Sequence, residues 1–457
     1  MSIVFCFNTC TTQKQDEPLS YIKAQKVLVQ WTNLILRLER STSGYRPPIS
    51  ARMFAYVNMV AYQTALPALK GYSALKEPIL PAQYAVSYTQ TKDFDLPIAL
   101  NAAYAHILNH FFFTAPQHFL QELTSLEKEI LADEQNLITQ NTAQASINYG
   151  KAVAEAIWEY SKTDKIGHDA FLYNYDKNYT PPQYKGSWQP SNLHAMPALL
   201  PHWSGVRTFI NTKEDVQVKP PVPFDESPTS DFYKQAMEIY LNGQHLSFED
   251  TWIAEFWGDD IEGLTVTPVG RWFSIDNQYI IQNNFYFPDI LETYLKLGLA
   301  LNDASVICWH TKYSFNLERP ESFIQRNIDA HWHPLHHTPP FPGYPSGHAI
   351  FGSSAIEVLK YQLGNTTLFT DKTHEKRTEF QGKPRTFHSF DEMASENAYS
   401  RLIMGVHFRM DCEEGLRLGK IIGQKTAHFS LKEDEVSDNS QYISNFKNRH
   451  SNAPLNK

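Results

Sequence analysis

The sequence predicts an all-α protein in which two helical bundles form one compact unit, and three observations lead to this prediction. Apolar residues recur with the period of an α-helix along most of the 457-residue chain. No stretch of alternating apolar and polar residues stands out, and no repeat has a fixed period. Apolar residues make up 42% of the chain and aromatic residues 13%, which is enough to bury a large core.

The N-terminal half contains five predicted helices. The first has its apolar residues on one side, as a helix at the edge of a core does. The second and third are strongly apolar, as buried helices are. The five predicted ranges are 21–38, 51–69, 96–113, 116–131 and 145–160.

A long segment, 171–228, separates this half from the next. It is rich in Pro, Asn, Tyr and Trp and contains two Pro-Pro pairs, so it is predicted to be loop with short ordered pieces. Helical patterns then resume at 231–242, 248–256, 279–301, 304–315, 346–361, 393–404 and 413–429. We therefore divide the chain into a leader or disordered N-terminus at 1–17, an N-terminal helical half at 18–225, a C-terminal bundle with the catalytic site at 226–432, and a flexible tail at 433–457.

Composition excludes several classes of protein. The 40 basic and 49 acidic residues give a net charge of −9, which argues against a general nucleic-acid binder. No run of about 18 apolar residues occurs, so no membrane-spanning helix is predicted. Four cysteines without a CxxC pair exclude a zinc ribbon and a disulfide scaffold, and we expect Cys308 and Cys412 to be buried free thiols.

The first residues bear on cellular location. Residues 3–7 form a short apolar run that lacks the basic start and the length of a secretory signal. Cys10 follows and would be the lipidated residue if this segment ends a lipoprotein leader; a disordered N-terminus is the alternative. We expect an exported protein, whether periplasmic, held at the outer surface as a lipoprotein, or secreted.

Three segments of the C-terminal half carry residues suited to chemistry. In the first, Lys312 and Arg319 are seven residues apart, so both could project from one face of a helix that Pro320 then ends. If these two cations stood alone, a solvated basic face would be the more common interpretation.

The second segment contains Pro345-Ser346-Gly347-His348 at the start of a predicted helix. The first N–H groups of a helix and a serine hydroxyl at the positive end of its dipole form an anion-binding arrangement. His348 adds a titratable group beside that anion. An ordinary serine N-cap explains the same residues when they are taken alone.

In the third segment Gly405 permits a bend, so that Arg401 and His407 could approach one point from different directions. Asp411 lies one helical turn after His407 and could orient its ring. A helix pair with an incidental histidine is the alternative for this segment alone.

Taken together, the three segments supply two arginines, one lysine, a hydroxyl, a glycine amide and two histidines. Forked guanidinium donors, a point cation and backbone N–H groups are the donors that bind a tetrahedral oxyanion. The sequence therefore predicts an oxyanion site in the C-terminal bundle, with one histidine left as a ligand and the other as an acid–base group.

The pattern Lys-x6-Arg-Pro, then Pro-Ser-Gly-His, then Ser-Arg-x5-His-x3-Asp resembles the signature of the vanadium-dependent haloperoxidases. The related type 2 phosphatidic acid phosphatases and bacterial acid phosphatases share it. The segments 338–348, 256–260, 267–272 and, more weakly, 50–52 resemble bacterial haloperoxidases of the iodide-oxidising type. The similarity covers about residues 50–428, and the small acid phosphatases lack the long N-terminal half.

The resemblance implies a vanadate cofactor and a role for each matching residue. Vanadate is expected to be bound by Lys312, Arg319, Ser346, Gly347, Arg401 and His407, with His407 as the direct ligand of vanadium. His348 matches the acid–base histidine, so that His348, Lys312 and His407 would be the catalytic residues.

Other residues are assigned more loosely by the same resemblance. Asp260, or else Asp259, would pair with the second arginine, Arg401, and Asp411 would support His407. Trp309 and Phe341 match positions on the halide side of the site, although core packing explains them equally well.

The function implied is oxidation of a halide by hydrogen peroxide to a hypohalous acid, with iodide favoured and bromide next. The organic acceptor and the oligomeric state cannot be deduced from the sequence. Hydrolysis of phosphate monoesters, with His407 as nucleophile and His348 as general acid, is the alternative. A non-catalytic oxyanion-binding protein is a third possibility, which the retention of both histidines argues against.

A dense histidine run lies at 331–337. Its members His331, His333, His336 and His337 fit neither a helical pair four residues apart nor a zinc-finger spacing. A loop leading into the active site is therefore favoured over a metal site.

Overall fold

The computed structural model describes residues 17–433 except 89–93, 191–195 and 284. These residues form fourteen α-helices and one two-stranded sheet, which confirms the all-α fold class. Among them, no helix combines the length and the apolar character needed to cross a membrane. The predicted leader and tail, including Cys10, lie outside the described residues apart from Glu17 and Glu433.

The N-terminal half consists of six helices. Prolines mark two helix starts, because a proline in the first turn lacks only an N–H that would have no partner there: α2 begins at Pro47, and Pro97 follows Leu96 in α3. Every residue of α2 is buried, so this helix forms the centre of the half. The helices are α1 (Leu19–Ser41), α2 (Pro47–Ala65), α3 (Leu96–Phe111), α4 (Gln117–Gln135), α5 (Gln140–Lys162) and α6 (Lys165–His168).

The C-terminal half consists of eight helices. They are α7 (Asp231–Gln244), α8 (Phe248–Phe256), α9 (Gly270–Asn283), α10 (Phe287–Phe315), α11 (Pro320–Asn327), α12 (Gly347–Leu363), α13 (Phe390–Ile403) and α14 (Arg409–Ala427). Between the halves, the segment 171–228 is mostly irregular, as predicted.

The predicted boundaries around α10 were wrong in two ways. The range 279–301 merged the end of α9 with the start of α10, which begins after an extended N-cap, Tyr286, and carries Pro288 in its first turn. The predicted break near 302 does not exist. Asp303 is buried inside the helix, where its carboxylate accepts N–H bonds of 2.7–2.8 Å from residues 209–211. A polar residue therefore interrupted the apolar pattern without interrupting the helix.

The small sheet was not predicted. Strand β1 (Thr366–Asp371) pairs with β2 (Arg385–Ser389) in antiparallel fashion. Phe369 is paired with Phe387, and both side chains are 1% exposed. Two strands of six and five residues are too short for an alternating pattern to be distinguished from loop.

Glycines on α14 let it approach α12 closely enough to form one end of the site. A Cβ atom on Gly419 would lie 2.4 Å from the carbonyl oxygen of Ile350, and one on Gly415 would lie 2.8 Å from that of Ser346. The backbones can therefore touch only because these side chains are missing. The contact brings the two helix N-termini together, and the Ser346 N–H donates to the carbonyl oxygen of Asp411 at 2.8 Å.

The two halves share one hydrophobic core, which runs from Tyr21 to Leu431. Helices α2 and α10 meet along their lengths, and a Cβ on Gly298 would lie 3.1 Å from the Phe54 carbonyl oxygen. A smaller apolar cluster, which includes Phe232, Phe323 and Phe408, packs between α7, α11 and the start of α14. The C-terminal bundle therefore packs against the N-terminal half through α10 and against α7 and α11 through the smaller cluster.

Candidate oxyanion site

A cavity of about 920 Å³ opens over the C-terminal bundle. It contains most of the residues that the sequence singled out, although they come from five separate places in the chain. Its lining includes Trp309, Arg319, Phe341, Gly347, His348, Arg401 and His407, together with Asp259 and Asp260. Lys312 and Ser346 are fully buried and do not line it.

Arg319 reaches the cavity from a loop and not from the helix of Lys312, which corrects the prediction. Helix α10 ends at Phe315, and Asn316 adopts a left-handed conformation with φ 41°. Arg319 is the extended N-cap of α11, and Pro320 is that helix's first residue. We had expected Pro320 to end a helix; at the first position it begins one, because its fixed φ suits the first turn.

The Arg319 guanidinium is buried, and one of its nitrogens has no partner. Its Nε donates to the Phe341 carbonyl oxygen at 3.0 Å and its Nη1 to the Val406 carbonyl oxygen at 2.8 Å. Its Nη2 forms no hydrogen bond. A buried charged donor left unpaired is costly unless a ligand completes it, so Nη2 indicates where an anion would bind. Burial lowers the pKa of Arg319 to about 10, which leaves it charged at neutral pH.

His407 is held by a carboxylate on one side and by Arg319 on the other. Its Nδ1 lies 2.9 Å from Asp411 Oδ2, and its Nε2 lies 3.0 Å from Arg319 Nη1. A carboxylate accepts a hydrogen bond, so Nδ1 carries the proton. A guanidinium group donates one, so Nε2 carries the lone pair. The contact with Asp411 that the sequence predicted is therefore present, and Nε2 is available as a ligand atom.

Arg401 and His348 form the opposite wall. Arg401 Nη1 lies 3.2 Å from His348 Nε2, its Nε donates to the Ser400 hydroxyl at 2.9 Å, and its Nη2 donates to the Trp257 carbonyl oxygen. Gly405, with φ 77°, turns the chain between Arg401 and His407 as expected. A left-handed conformation of this kind favours glycine.

Burial lowers the pKa values of both histidines well below the usual range. The positive charges of Arg401 and Lys312 add to this effect at His348, and those of Arg319 and Lys312 add to it at His407. Both rings are therefore neutral at pH 7, so one can bind a metal centre and the other can accept a proton.

Lys312 contributes its charge from behind the cavity wall. Its ammonium donates to the carbonyl oxygens of Pro342, Gly343 and Pro345 at 3.0, 2.8 and 2.5 Å. These bonds use all three N–H donors and favour the charged form, whereas burial lowers the pKa of Lys312. Lys312 therefore fastens the loop before α12, and a direct bond to a bound anion would require it to release a carbonyl.

Ser346 also differs from the expectation of a ligand. Its hydroxyl accepts the N–H of Ala349 at 3.4 Å as the N-cap of α12. This is the ordinary capping role that a serine before a helix has. Gly347, the first residue of α12, lines the cavity, and the helix dipole favours an anion at this end of the helix.

Asp260 does not pair with Arg401, which corrects that prediction. Its carboxylate lies 2.9 Å from Arg46 Nη2, at the mouth of the cavity. The backbone of Asp260 is left-handed, with φ 79°. Asp259 is the acid whose negative charge acts on Arg401.

Asp259 belongs to a buried network that sequence analysis missed. It lies 3.0 Å from His374 and 3.5 Å from Arg271, which in turn lies 3.0 Å from Asp371. The Arg271 guanidinium stacks on the rings of Phe256 and Trp257. Two members of this network, His374 and Asp371, belong to the segment of the small sheet, which was not predicted. For this reason no spacing in the sequence revealed the network.

Trp309 and Phe341 meet at the cavity wall. Their ring centroids are 5.1 Å apart, and the Trp309 indole N–H donates to the Leu199 carbonyl oxygen. Phe341 also lies under the guanidinium of Arg319 and near the ammonium of Lys312. The two rings therefore give an apolar side to a cavity whose floor is cationic.

The site fits a tetrahedral oxyanion such as vanadate. Two buried guanidinium groups, one with an unpaired nitrogen, a helix N-terminus and the lone pair of His407 converge on one cavity. His336 and His337 of the histidine run also line it, which agrees with a loop that leads to the site. Cys308 and Cys412 are buried free thiols, as expected.

Sequence comparison finds one family model and two relatives that match part of the chain. Residues 292–433 match the family model described as the VCPO second helical-bundle domain. The vanadium chloroperoxidase of Curvularia inaequalis is 25% identical over 171 residues, which is 27% of this chain and 28% of the relative. The vanadium-dependent bromoperoxidase of Ascophyllum nodosum is 32% identical over 103 residues, 21% of this chain and 18% of the relative. The matches therefore span less than a third of these two proteins.

Structural comparison extends the similarity to both halves. A crystal structure described as the first bacterial vanadium-dependent iodoperoxidase superposes with a TM-score of 0.74 at 26% identity, covering 89% of this chain and 94% of the other. A bacterial vanadium-dependent chloroperoxidase superposes with a TM-score of 0.65 at 15% identity, covering 89% and 93%. The fold is therefore shared over nearly the whole described chain.

Proposed function

Since the chain belongs by sequence and fold to the vanadium haloperoxidases, we propose that it uses vanadate to oxidise a halide with hydrogen peroxide to a hypohalous acid. The observation that carries this proposal is the buried guanidinium of Arg319, whose Nη2 is unpaired while its Nη1 contacts His407 Nε2. A structural arginine has no need of an open donor beside a histidine lone pair.

The residues that would hold vanadate are Arg319, Arg401, the N–H of Gly347 and His407 Nε2. When bound there, vanadate would supply a vanadium(V) Lewis acid that activates hydrogen peroxide while the vanadium keeps its oxidation state. Lys312 adds positive charge from behind, in a setting where low exposure to water strengthens its field.

His348 is suited to accept a proton from hydrogen peroxide. Its ring is half-buried and neutral, and it lines the cavity beside Arg401. A histidine that acts as a general base must be unprotonated at the working pH and must reach the reacting proton. Asp411 acts differently, because its contact with His407 Nδ1 keeps the lone pair of that ring on Nε2.

Iodide is the halide we propose, with bromide next. The 26% identity to the bacterial iodoperoxidase over most of the chain supports this choice. The Trp309–Phe341 pair offers the apolar side on which a large, weakly hydrated anion would lie. The same pair is compatible with chloride, so the order of halides depends on the similarity and not on the rings.

The test is reconstitution of the purified chain with orthovanadate, followed by assays with iodide, bromide and chloride in the presence of peroxide. We expect vanadate-dependent turnover that is fastest with iodide. Arg319→Ala should lose it, whereas Arg409→Ala, which removes an exposed arginine paired with Glu238, should keep it. Hydrolysis of a phosphate monoester by the vanadate-free chain, with no halide oxidation, would instead establish the phosphatase alternative with His407 as nucleophile.

A further inference from the structure

Two histidines and a glutamate converge on the surface of the N-terminal bundle, on helices that contribute nothing to the oxyanion cavity. We propose that His106, His110 and Glu155 form a binding site for one divalent transition-metal ion of the Zn²⁺ class. One ligand atom from each residue lies within 4.8 Å of the others. Within the described part of the chain, this is the one group of three His, Cys, Asp or Glu residues with such geometry.

The helices bring these residues together through local geometry. His106 and His110 are four residues apart on α3 and so lie on one face of that helix. Glu155 lies on α5, which runs in the same direction, since Gly150 adjoins Ala99 and Glu155 adjoins the two histidines. A Cβ on Gly150 would lie 2.2 Å from the Ala99 carbonyl oxygen, so glycine permits the close approach that places Glu155 within reach.

The two imidazole rings are already oriented towards one point. Both Nε2 atoms contact the same carboxylate oxygen, Glu155 Oε2, at 2.7 Å for His106 and 3.0 Å for His110. The His110 ring stacks on Trp158 at 4.7 Å, and the two histidine rings meet edge to face at 5.0 Å. Stacking restricts the His110 ring, so less ordering is needed when a ligand binds.

The donor chemistry selects the ion. Two imidazole nitrogens and one carboxylate form the ligand set of open zinc sites, with bond lengths of about 2.0–2.2 Å, whereas Mg²⁺ and Ca²⁺ prefer oxygen donors. The present contacts are close to the separations between ligands around such an ion, so small side-chain shifts would admit it. The side chains of His106, His110 and Glu155 are 30%, 33% and 46% exposed, which leaves the remaining coordination positions open to water.

The surroundings argue against a simple ion pair as the purpose of the cluster. A single carboxylate on the surface needs no second histidine, yet the Nε2 atoms of both rings are turned to the same oxygen of Glu155. A metal ion would use all three groups at once, with one ligand atom from each. It would also join α3 to α5, and the apparent stability of the N-terminal bundle would rise with metal concentration.

The experiment is a Zn²⁺ titration of the chelator-treated, vanadate-free full chain against a chromophoric zinc chelator, with thermal unfolding as a second readout. We expect one equivalent of Zn²⁺ to bind and to raise the melting temperature. His106→Ala, His110→Ala and Glu155→Gln should each weaken that site by at least about tenfold, since each removes one of three ligands.

The matched control is His202→Ala. His202 is an exposed histidine 3.0 Å from a single carboxylate, Asp176, and so has the ion pair without the second histidine. It should leave Zn²⁺ affinity unchanged, and His331→Ala should do the same for the histidine run. The melting temperatures of the variants in chelator separate lost binding from lost folding.

Two results would overturn the proposal. One is a wild-type chain that binds no stoichiometric Zn²⁺, which would leave the cluster as a hydrogen-bonded ion pair. The other is equal Zn²⁺ affinity in the wild type and in Glu155→Gln. The Glu155 side chain is about half exposed, so this substitution should not disturb folding. Neither result depends on whether the oxyanion site is a haloperoxidase centre.

Discussion

At the residue scale, the two histidines of the cavity share one protonation state, and each has an arginine at its Nε2, but they differ in their other partner. Burial and the neighbouring cations keep both rings neutral. His407 also contacts the carboxylate of Asp411 at Nδ1, which fixes its lone pair on Nε2, whereas no carboxylate contacts His348 among the described residues. The difference makes His407 a ligand and leaves His348 as the group that exchanges a proton.

This assignment predicts different losses for the two alanine variants. His407→Ala should weaken vanadate binding by at least about tenfold, because it removes the proposed direct ligand and not a supporting contact. His348→Ala should retain much of the vanadate affinity but lose turnover. Equilibrium dialysis with orthovanadate measures the first property and iodide oxidation the second. Full activity in His407→Ala would show that the ligand is assigned to the wrong histidine.

The lowered pKa of His348 also predicts a dependence of stability on pH. The folded chain keeps this ring neutral, whereas the unfolded chain protonates it below its ordinary pKa of about 6.5. The unfolded state then binds more protons, so stability falls as pH decreases from about 6.5, by up to about 1.4 kcal/mol per pH unit for this group.

The measurement compares vanadate-free wild type with His348→Asn. We expect the melting temperature of the wild type to fall further between pH 7 and pH 5 than that of the variant. Asp411 opposes the trend in both proteins, because burial raises its pKa to about 7 and favours the folded state as pH falls. Parallel curves for the two proteins would contradict the inferred neutral state of His348.

At the element scale, the site depends on where helices begin. Gly347 opens α12, Arg319 precedes Pro320 at the start of α11, and His407 and Asp411 bracket the start of α14. Helix starts offer free N–H groups and a positive dipole end, which is why an anion site forms where several of them meet.

The sequence revealed the start of α12 and the bend before α14, whereas it assigned Pro320 to the end of a helix and did not reveal the partners of Arg319 and Lys312. Ser346-Gly347 and the bend at Gly405 were predicted from residue type alone, because capping and left-handed turns are local properties. The unpaired nitrogen of Arg319, the Asp260–Arg46 pair and the carbonyl bonds of Lys312 depend on contacts between distant segments. No spacing within one segment could have given them.

The contact between α12 and α14 gives a prediction at this scale. Gly419→Ala should destabilise the chain by about 1–3 kcal/mol, because its Cβ would lie 2.4 Å from a backbone oxygen that cannot rotate away. Vanadate affinity should fall as well, since the shift separates the N-termini of the two helices. Lys420→Ala, on the exposed face of α14, is the control and should change neither property.

That prediction is checked by chemical denaturation together with vanadate binding. Loss of stability with unchanged vanadate affinity would show that α14 can move without moving Asp411 and His407. The close packing would then serve the core alone.

At the scale of the whole molecule, an acidic protein concentrates three cations at one buried site. The net charge is −9, yet Lys312, Arg319 and Arg401 are all buried within one bundle. Their mutual repulsion is offset by carbonyl oxygens and by Asp411 and Asp259, and a bound oxyanion would offset it further. Binding of the anion should therefore stabilise the fold.

The continuous core predicts that this stabilisation reaches both halves. Helices α2 and α10 meet at Gly298, and the apolar core runs from Tyr21 to Leu431, so the halves should unfold together. Vanadate at about 100 times its dissociation constant would add about 2.7 kcal/mol to the whole unit. Hydrogen exchange in α3, which lines no part of the cavity, should slow along with exchange in α12, and calorimetry should show one transition that moves to higher temperature. Arg319→Ala should abolish the shift while Arg409→Ala retains it. Two transitions, of which only one responds to vanadate, would instead show that the bundles are independent domains and that the shared core does not couple them.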